Sequence, residues 1–256
     1  MDAGLLGGMV VAAALVHLVA AWLLAAPPSE AVPDRAEYLQ RWRVAHGDYD
    51  PSANAWVRGW LIAVHRMAHP LARRGVAPDA ITTFALWPVA GSLVCAAVGG
   101  RWALLGALLV TVSGVIDGLD GAVAVMTSRG SRWGYLLDSL VDRLADLGYV
   151  AALVVLGAWP LLGVAVGGAV LLHEYARARG SHAGAGEVGA VTVGERPTRV
   201  IACGIGLAAA GAVPGKAPEA AGIALVVLAA LTAVGFVQLL VALRRALADC
   251  GDGAAG

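Results

Sequence analysis

The chain has 256 residues, of which 59% are hydrophobic and 14% charged, and its eighteen Lys and Arg balance eighteen Asp and Glu. Water-soluble domains are nearer a quarter charged, so the composition points away from a soluble globular domain and toward a membrane protein. Zero net charge, with no basic patch interleaved with aromatics, argues against nucleic acid as a partner. Three scattered cysteines, Cys95, Cys203 and Cys250, have neither metal-ligand spacing nor the even count of a disulfide framework.

In chain order, seven apolar stretches read as membrane-spanning helices: residues 5–25, 80–98, 102–126, 134–159, 161–176, 200–213 and 220–243. Most are long enough for a hydrocarbon core of about 30 Å; the 200–213 stretch is short. The first could be a cleaved signal peptide, but it opens Met1-Asp2 without a basic region and its apolar run is longer than such peptides carry, which favours a retained helix. Residues 27–52 are polar and interrupted by proline, and read as a loosely constrained loop. Over residues 53–74, Trp56, Trp60, Val64 and Leu71 recur near helical spacing among Arg58, Arg66, Arg73 and Arg74. That pattern suits an amphipathic helix on the membrane interface; a connecting helix packed on the bundle is the plainer alternative.

Loop charge sets an orientation. Arg35, Arg41, Arg43, Arg58, Arg66, Arg73 and Arg74 precede the second span; Arg129 and Arg132, then Arg177, Arg179, Arg196 and Arg199, and finally Arg244 and Arg245 fall on the same side. The opposite side carries Arg101 and Lys216. The positive-inside rule makes the Arg-rich side cytoplasmic, so the N-terminus is expected outside, with a cell-membrane, multi-pass location.

Four aspartates lie inside these apolar segments: Asp117-x-x-Asp120-Gly121, then Gly134-x-x-x-Asp138-x-x-x-Asp142. At about 100° per residue, the first pair sits roughly 60° apart and the second roughly 40° apart, each on one helix face. Four unpaired carboxylates at mid-bilayer would cost on the order of 10 kcal/mol, and Arg143 is the one cation close by in sequence. Hard divalent cations are the natural compensation, since Mg²⁺ or Mn²⁺ takes carboxylate oxygens and keeps positions for water and phosphate. Counting 1.5 Å per residue, Asp117 lies about 24 Å beyond Arg101, and Asp138 and Asp142 about 8 and 14 Å beyond Trp133. Both pairs therefore fall toward the cytoplasmic side and read as a two-metal phosphoryl-transfer site built into a membrane protein.

The stretch Asp117-Gly-Leu-Asp120-Gly121-Ala-Val-Ala124, followed by Gly134, Asp138 and Asp142, resembles the signature of the CDP-alcohol phosphotransferases, which move a phosphatidyl-type group from a CDP-linked donor onto an alcohol and release CMP. Seven positions match over 26 residues with every gap the right length. One position departs: the pattern has Arg after the second Ala, and Val125 stands there, which puts donor affinity or donor identity in question.

The resemblance implies an all-α, polytopic membrane helix bundle with a six-helix core, to which an N-terminal transmembrane helix and the interfacial helix are added. The domains expected are an extra N-terminal helix (1–26), a cytoplasmic loop with the amphipathic helix (27–79), the catalytic transmembrane domain (80–245) and a disordered cytoplasmic tail (246–256). It also implies two ions, Mg²⁺ or Mn²⁺, on Asp117, Asp120, Asp138 and Asp142, with Asp142 as the base that takes the acceptor's proton. Donor contacts are expected at Gly121, Thr82, Thr83 and Ser131, although Gly121 also suits helix packing and Asp79 suits capping of the helix it begins. The runs Glu174-Tyr-Ala-Arg177-Ala-Arg179 and Glu195-Arg196-Pro-Thr-Arg199 are similar to runs in phosphatidylinositol-phosphate synthases. They imply a phosphorylated acceptor bound by Arg177, Arg179, Arg196 and Arg199, because guanidinium forks match phosphate; topology charge is the other account of these arginines.

Expected partners are CDP-diacylglycerol or a related donor, a small alcohol, membrane lipids and a second copy of the chain, with the active site toward the cytoplasm. The histidines show no ligand spacing and are read as non-catalytic. An ion transporter would also bury carboxylates, but does not account for Gly121 and Gly134 at fixed offsets. A non-catalytic binder of nucleotide or lipid is the alternative that Val125 raises.

Overall fold

The computed structural model describes residues 2–28, 30–185 and 192–252, with side chains described through residue 248. Ten α-helices form it, and there is no strand among the described residues: α1 (Ala3–Leu23), α2 (Arg35–Ala45), α3 (Ala55–Arg74), α4 (Pro78–Phe84), α5 (Leu86–Val98), α6 (Trp102–Thr127), α7 (Arg132–Val155), α8 (Pro160–Gly180), α9 (Arg196–Ala212) and α10 (Ala217–Asp252). It is a polytopic membrane helix bundle. Each expected span lies on helix over most of its length, the first and fourth running past the ends of α1 and α7. Among the described residues four stretches are long and apolar enough to cross a membrane by composition alone: Ala3–Leu23, Pro78–Val98, Trp102–Thr127 and Pro214–Ala248. Helices α7, α8 and α9 carry the charged side chains of the sites below, which lowers their hydropathy without ending the helix.

Three local outcomes differ from the sequence reading. The region read as a loop contains α2, whose N-terminus is capped by Asp34 accepting from the Glu37 N–H at 2.9 Å; Asp34-x-x-Glu37 is a capping-box spacing that the reading passed over. The span at 80–98 is two helices broken at Ala85. Pro88 has no N–H to give the Phe84 carbonyl, so the ladder fails there, and the Ser113 hydroxyl donates to the Ala85 carbonyl at 2.9 Å. The last helix runs to Asp252, beyond the end expected near residue 245; of the tail expected over 246–256, residues 253–256 lie outside the described residues.

The chain divides into two compact units, residues 1–91 with 112–142, and residues 92–111 with 143–256. In the first, Leu61, Val64, Ala68 and Ala72 form the buried stripe of α3 and pack with Tyr38, Val76, Ile81, Val123 and Met126. The spacing of those α3 residues is that of one helix face. Trp56 and Trp60 precede Val64 by two turns and one turn on the same stripe and stay exposed, and the edge of the Trp60 ring reaches α6. Gly118 permits this approach: a Cβ there would lie 3.1 Å from the Trp60 ring. Burial pushes the Tyr38 phenol up to about 12.

The second unit is held by small-residue packing of the kind that lets membrane helices approach closely. A Cβ on Gly206 of α9 would lie 2.4 Å from that of Ala224 on α10. Leu153, Leu207, Leu225, Leu228 and Leu239 are fully buried there. Cys95 and Cys203 are buried free thiols, in keeping with packing roles.

Candidate active site

Two helices of the first unit bring the aspartates together. α6 ends at Thr127, where Ser128 takes a left-handed conformation (φ 53°) and reverses the chain. α7 then begins, with Ser131 accepting from the Gly134 N–H at 2.9 Å as its cap. This tight turn sets Asp117 near Asp138 and Asp142: one carboxylate oxygen from each lies within 4.8 Å of the others. Three half-buried carboxylates that close repel unless a cation lies among them, and an all-oxygen donor set suits a hard divalent ion. The residues present therefore fit a divalent metal.

Asp120 is placed differently. It is 5% exposed, and its carboxylate accepts from the Thr82 hydroxyl and from the Gly121 N–H, while Asp138 and Asp117 are near enough to act on it electrostatically. Thr82 sits on α4, whose first residue is Pro78, with Ala77 at the cap position making no side-chain cap bond. The capping role considered for Asp79 is thus not adopted; its carboxylate faces a cleft instead, and an oxygen of it would lie 3.3 Å from a Cβ on Gly134.

That cleft, about 210 Å³, is lined by Pro78, Asp79, Thr82, Asp120, Gly121, Ala124, Arg129, Gly130, Ser131, Gly134, Tyr135 and Asp138. Of the expected donor contacts, Thr82, Gly121 and Ser131 line it. Thr83 does not: its hydroxyl donates to the Asp79 carbonyl at 2.8 Å within its own helix. A Cβ on Gly121 would meet nothing within 4 Å, so this glycine opens space along the cleft and is not a helix-packing glycine. Sequence reading missed Arg129 and Tyr135, which no motif position marks. Val125 is absent from the lining and packs against the cluster around Leu61 and Tyr38.

The expected acceptor arginines belong to the second unit. Arg199 is 2% exposed, pairs with Asp146 at 3.1 Å and with Glu174 at 3.5 Å, and donates to the Gly194 carbonyl at 2.6 Å. Arg143 reaches Glu174 at 2.7 Å, and Arg177 reaches Glu195 at 2.6 Å. Thr192 donates to Glu195 through both its N–H (3.0 Å) and its hydroxyl (2.9 Å). Arg196 is buried and Arg179 exposed. Asp146, His173 and Arg143 were not assigned to this cluster from sequence, although Asp138, Asp142 and Asp146 recur every fourth residue on one stripe of α7.

The chain is similar to known proteins. The family model described as CDP-alcohol phosphatidyltransferase matches residues 75–247. A phosphatidylinositol phosphate synthase of Cutibacterium acnes is 35% identical over 199 residues, covering 73% of this chain and 95% of that protein. An archaetidylinositol phosphate synthase of Aeropyrum pernix is 40% identical over 98 residues, 37% of this chain and 50% of the relative. Among solved structures, phosphatidylinositol phosphate synthase of Mycobacterium tuberculosis with CDP-DAG bound matches with a TM-score of 0.58 and 26% identity, covering 70% of this chain and 92% of that one. The same enzyme in complex with manganese and citrate matches with the same score.

Proposed function

The chain belongs to the CDP-alcohol phosphatidyltransferase family, membrane enzymes of phospholipid biosynthesis that pass a phosphatidyl-type group from a CDP-linked donor to an alcohol, and from that membership we propose its substrates and the part each residue plays. The donor is CDP-diacylglycerol, and the acceptor is a phosphorylated polyol of the inositol phosphate kind. The observation that carries this reading is the meeting of Asp117, Asp138 and Asp142 within 4.8 Å, beside a cleft into which Thr82 and Asp120 are locked together.

Asp117, Asp120, Asp138 and Asp142 would hold two ions, Mg²⁺ or Mn²⁺. Such ions would offset the charge of the donor diphosphate and of the departing CMP. The nucleotide lies along the open backbone at Gly121, with Thr82 and Ser131 at the cleft wall. Asp142 accepts the proton of the acceptor hydroxyl, whose oxygen then bonds to the phosphatidyl phosphorus as the bond from that phosphorus to CMP breaks. Binding both substrates at fixed geometry replaces an encounter in solution, which is worth several kcal/mol of the barrier.

Arg177, Arg179, Arg196 and Arg199 are proposed for the acceptor phosphate. Four guanidinium groups (Arg143, Arg177, Arg196, Arg199) against three carboxylates (Asp146, Glu174, Glu195) leave an excess of positive charge among the described residues of this cluster, which favours an anionic ligand. The positive-inside distribution supports a cell-membrane location with this chemistry on the cytoplasmic side.

The acceptor is tested by supplying purified protein with CDP-diacylglycerol and Mg²⁺ and identifying lipid products by mass spectrometry. Inositol phosphate, glycerol phosphate, free inositol and serine are compared. The proposal expects product with a phosphorylated polyol and little with its unphosphorylated form. Preference for an unphosphorylated alcohol would reject the arginine assignment.

A further inference from the structure

α1 and the segment after it precede the family-matched region, which begins at residue 75. Within Ala3–Leu23 every side chain is apolar except His17 and the indole N–H of Trp22. None of the helix is buried, and Leu5, Met9, Val16 and Leu23 are exposed as lipid-facing residues would be. An imidazole in such a helix is costly unless its nitrogens find partners, because hydrocarbon offers none.

His17 finds two. Its Nε2 lies 2.9 Å from the Ala80 carbonyl on α4, and its Nδ1 lies 3.2 Å from the Trp87 indole nitrogen on α5. The carbonyl can only accept and the indole can only donate, so Nε2 carries the proton and Nδ1 accepts. One ring therefore bridges the two sides of the break at Ala85, and it also packs edge-on against Phe84 at 5.5 Å. Two residues beyond Ala80 stands Thr82, whose hydroxyl holds Asp120.

A second attachment lies at the end of the same segment. The Ala26 N–H donates to the Gly75 carbonyl at 3.3 Å. Arg129, in the cleft wall, donates to the carbonyls of both, at 3.2 Å to Gly75 and 3.1 Å to Ala26. The fit is close enough to demand glycine: at φ +79°, a Cβ on Gly75 would lie 1.9 Å from the Ala26 oxygen. Between the two attachments, the Arg74 guanidinium lies 4.2 Å over the Trp22 ring.

We propose that the N-terminal helix is a strut for the donor cleft, and that His17 is a positioning residue which fixes α4 and through it the Thr82–Asp120 pair. The role assigned to the cleft rests on the donor reading above; the attachment itself does not.

Full-length His17→Leu and His17→Gln proteins, purified in the same detergent as wild type, test it with two readouts. The first is hydrogen exchange of the Pro78–Phe84 segment, which needs no substrate. Exchange should rise in His17→Leu, with α10 unchanged, and return toward wild type in His17→Gln, whose amide can donate to Ala80 and accept from Trp87. The second is steady-state kinetics. Loss of one or two such bonds should raise the CDP-diacylglycerol KM about two- to tenfold and leave the acceptor KM unchanged. Should His17→Leu not fold, Trp87→Phe removes one bond alone and should shift both readouts in the same direction by less. Wild-type exchange and donor KM in the folded variants would overturn the strut. So would a parallel rise in both KM values without rescue by Gln, which is what general destabilisation gives. Failure of wild type to use CDP-diacylglycerol, with the exchange result intact, would count against the donor reading and not against the attachment.

Discussion

At the scale of residues, the arrangement separates carboxylates that meet from one that is held. Asp120 is buried and accepts two hydrogen bonds, one from Thr82, so its position depends on a hydroxyl from another helix. Thr82→Val keeps the shape and removes that donor. A hydrogen bond to a charged group is worth about 1.5–3 kcal/mol, so kcat/KM for the donor should fall roughly tenfold or more, measured as CMP release at low donor concentration. Val125 illustrates a limit of motif matching. From sequence it puts donor affinity or donor identity in question; its side chain packs with the cluster of Tyr38, Leu61 and Met126 and not in the cleft. Val125→Arg should therefore lower the melting temperature in detergent without lowering the donor KM, since a guanidinium there displaces apolar contacts and finds no partner among them. The four aspartates stood out by their spacing, and Thr82, Gly121 and Ser131, which line the cleft, only through the resemblance; Arg129 and Tyr135 carried no such mark, because a cleft wall assembled from a turn and a distant helix leaves no periodic trace.

At the scale of elements, apolar runs marked where the long helices lie, and what they missed has local causes. α2 was hidden by its low hydropathy, though Asp34 and Glu37 announce its start. The break between α4 and α5 follows from Pro88, and the cleft side of α4 follows from its beginning at Pro78 without a side-chain cap. The buried pair Arg199–Asp146 was invisible because its partners come from α9 and α7 and are 53 positions apart in sequence. Removing Asp146 leaves Arg199 with Glu174 and the Gly194 carbonyl, and removing Arg199 leaves Asp146 with Arg143 at 3.6 Å, so the loss should fall below the cost of about 3–5 kcal/mol for a buried charge left with no partner. Asp146→Asn and Arg199→Gln should each lower the melting temperature markedly. The double variant Asp146→Leu with Arg199→Leu should be less destabilised than the sum of its single changes, because neither charge is then buried without the other. Additive losses in that cycle would show that the two do not act as a pair.

At the scale of the whole molecule, composition is what identifies a membrane protein, and the carboxylates give it a chemical purpose. A chain with 14% charged residues places four aspartates within 26 positions on two helices of a membrane bundle, a placement that stability alone would not favour. The metal follows from the same observation: chelation with EDTA should abolish turnover and added Mg²⁺ or Mn²⁺ should restore it, because the clustered oxygens of Asp117, Asp138 and Asp142 suit a hard divalent cation. The N-terminal helix, by contrast, was legible as a helix but not in its attachment, since a single histidine in an apolar run does not say what it touches. The measurement that bears most directly on the central claim is CMP release from CDP-diacylglycerol by purified wild type and Asp142→Asn, with Mg²⁺ and a phosphorylated acceptor present. Removal of the proposed base should abolish acceptor-dependent turnover while largely sparing donor binding; turnover by Asp142→Asn equal to wild type would contradict the account.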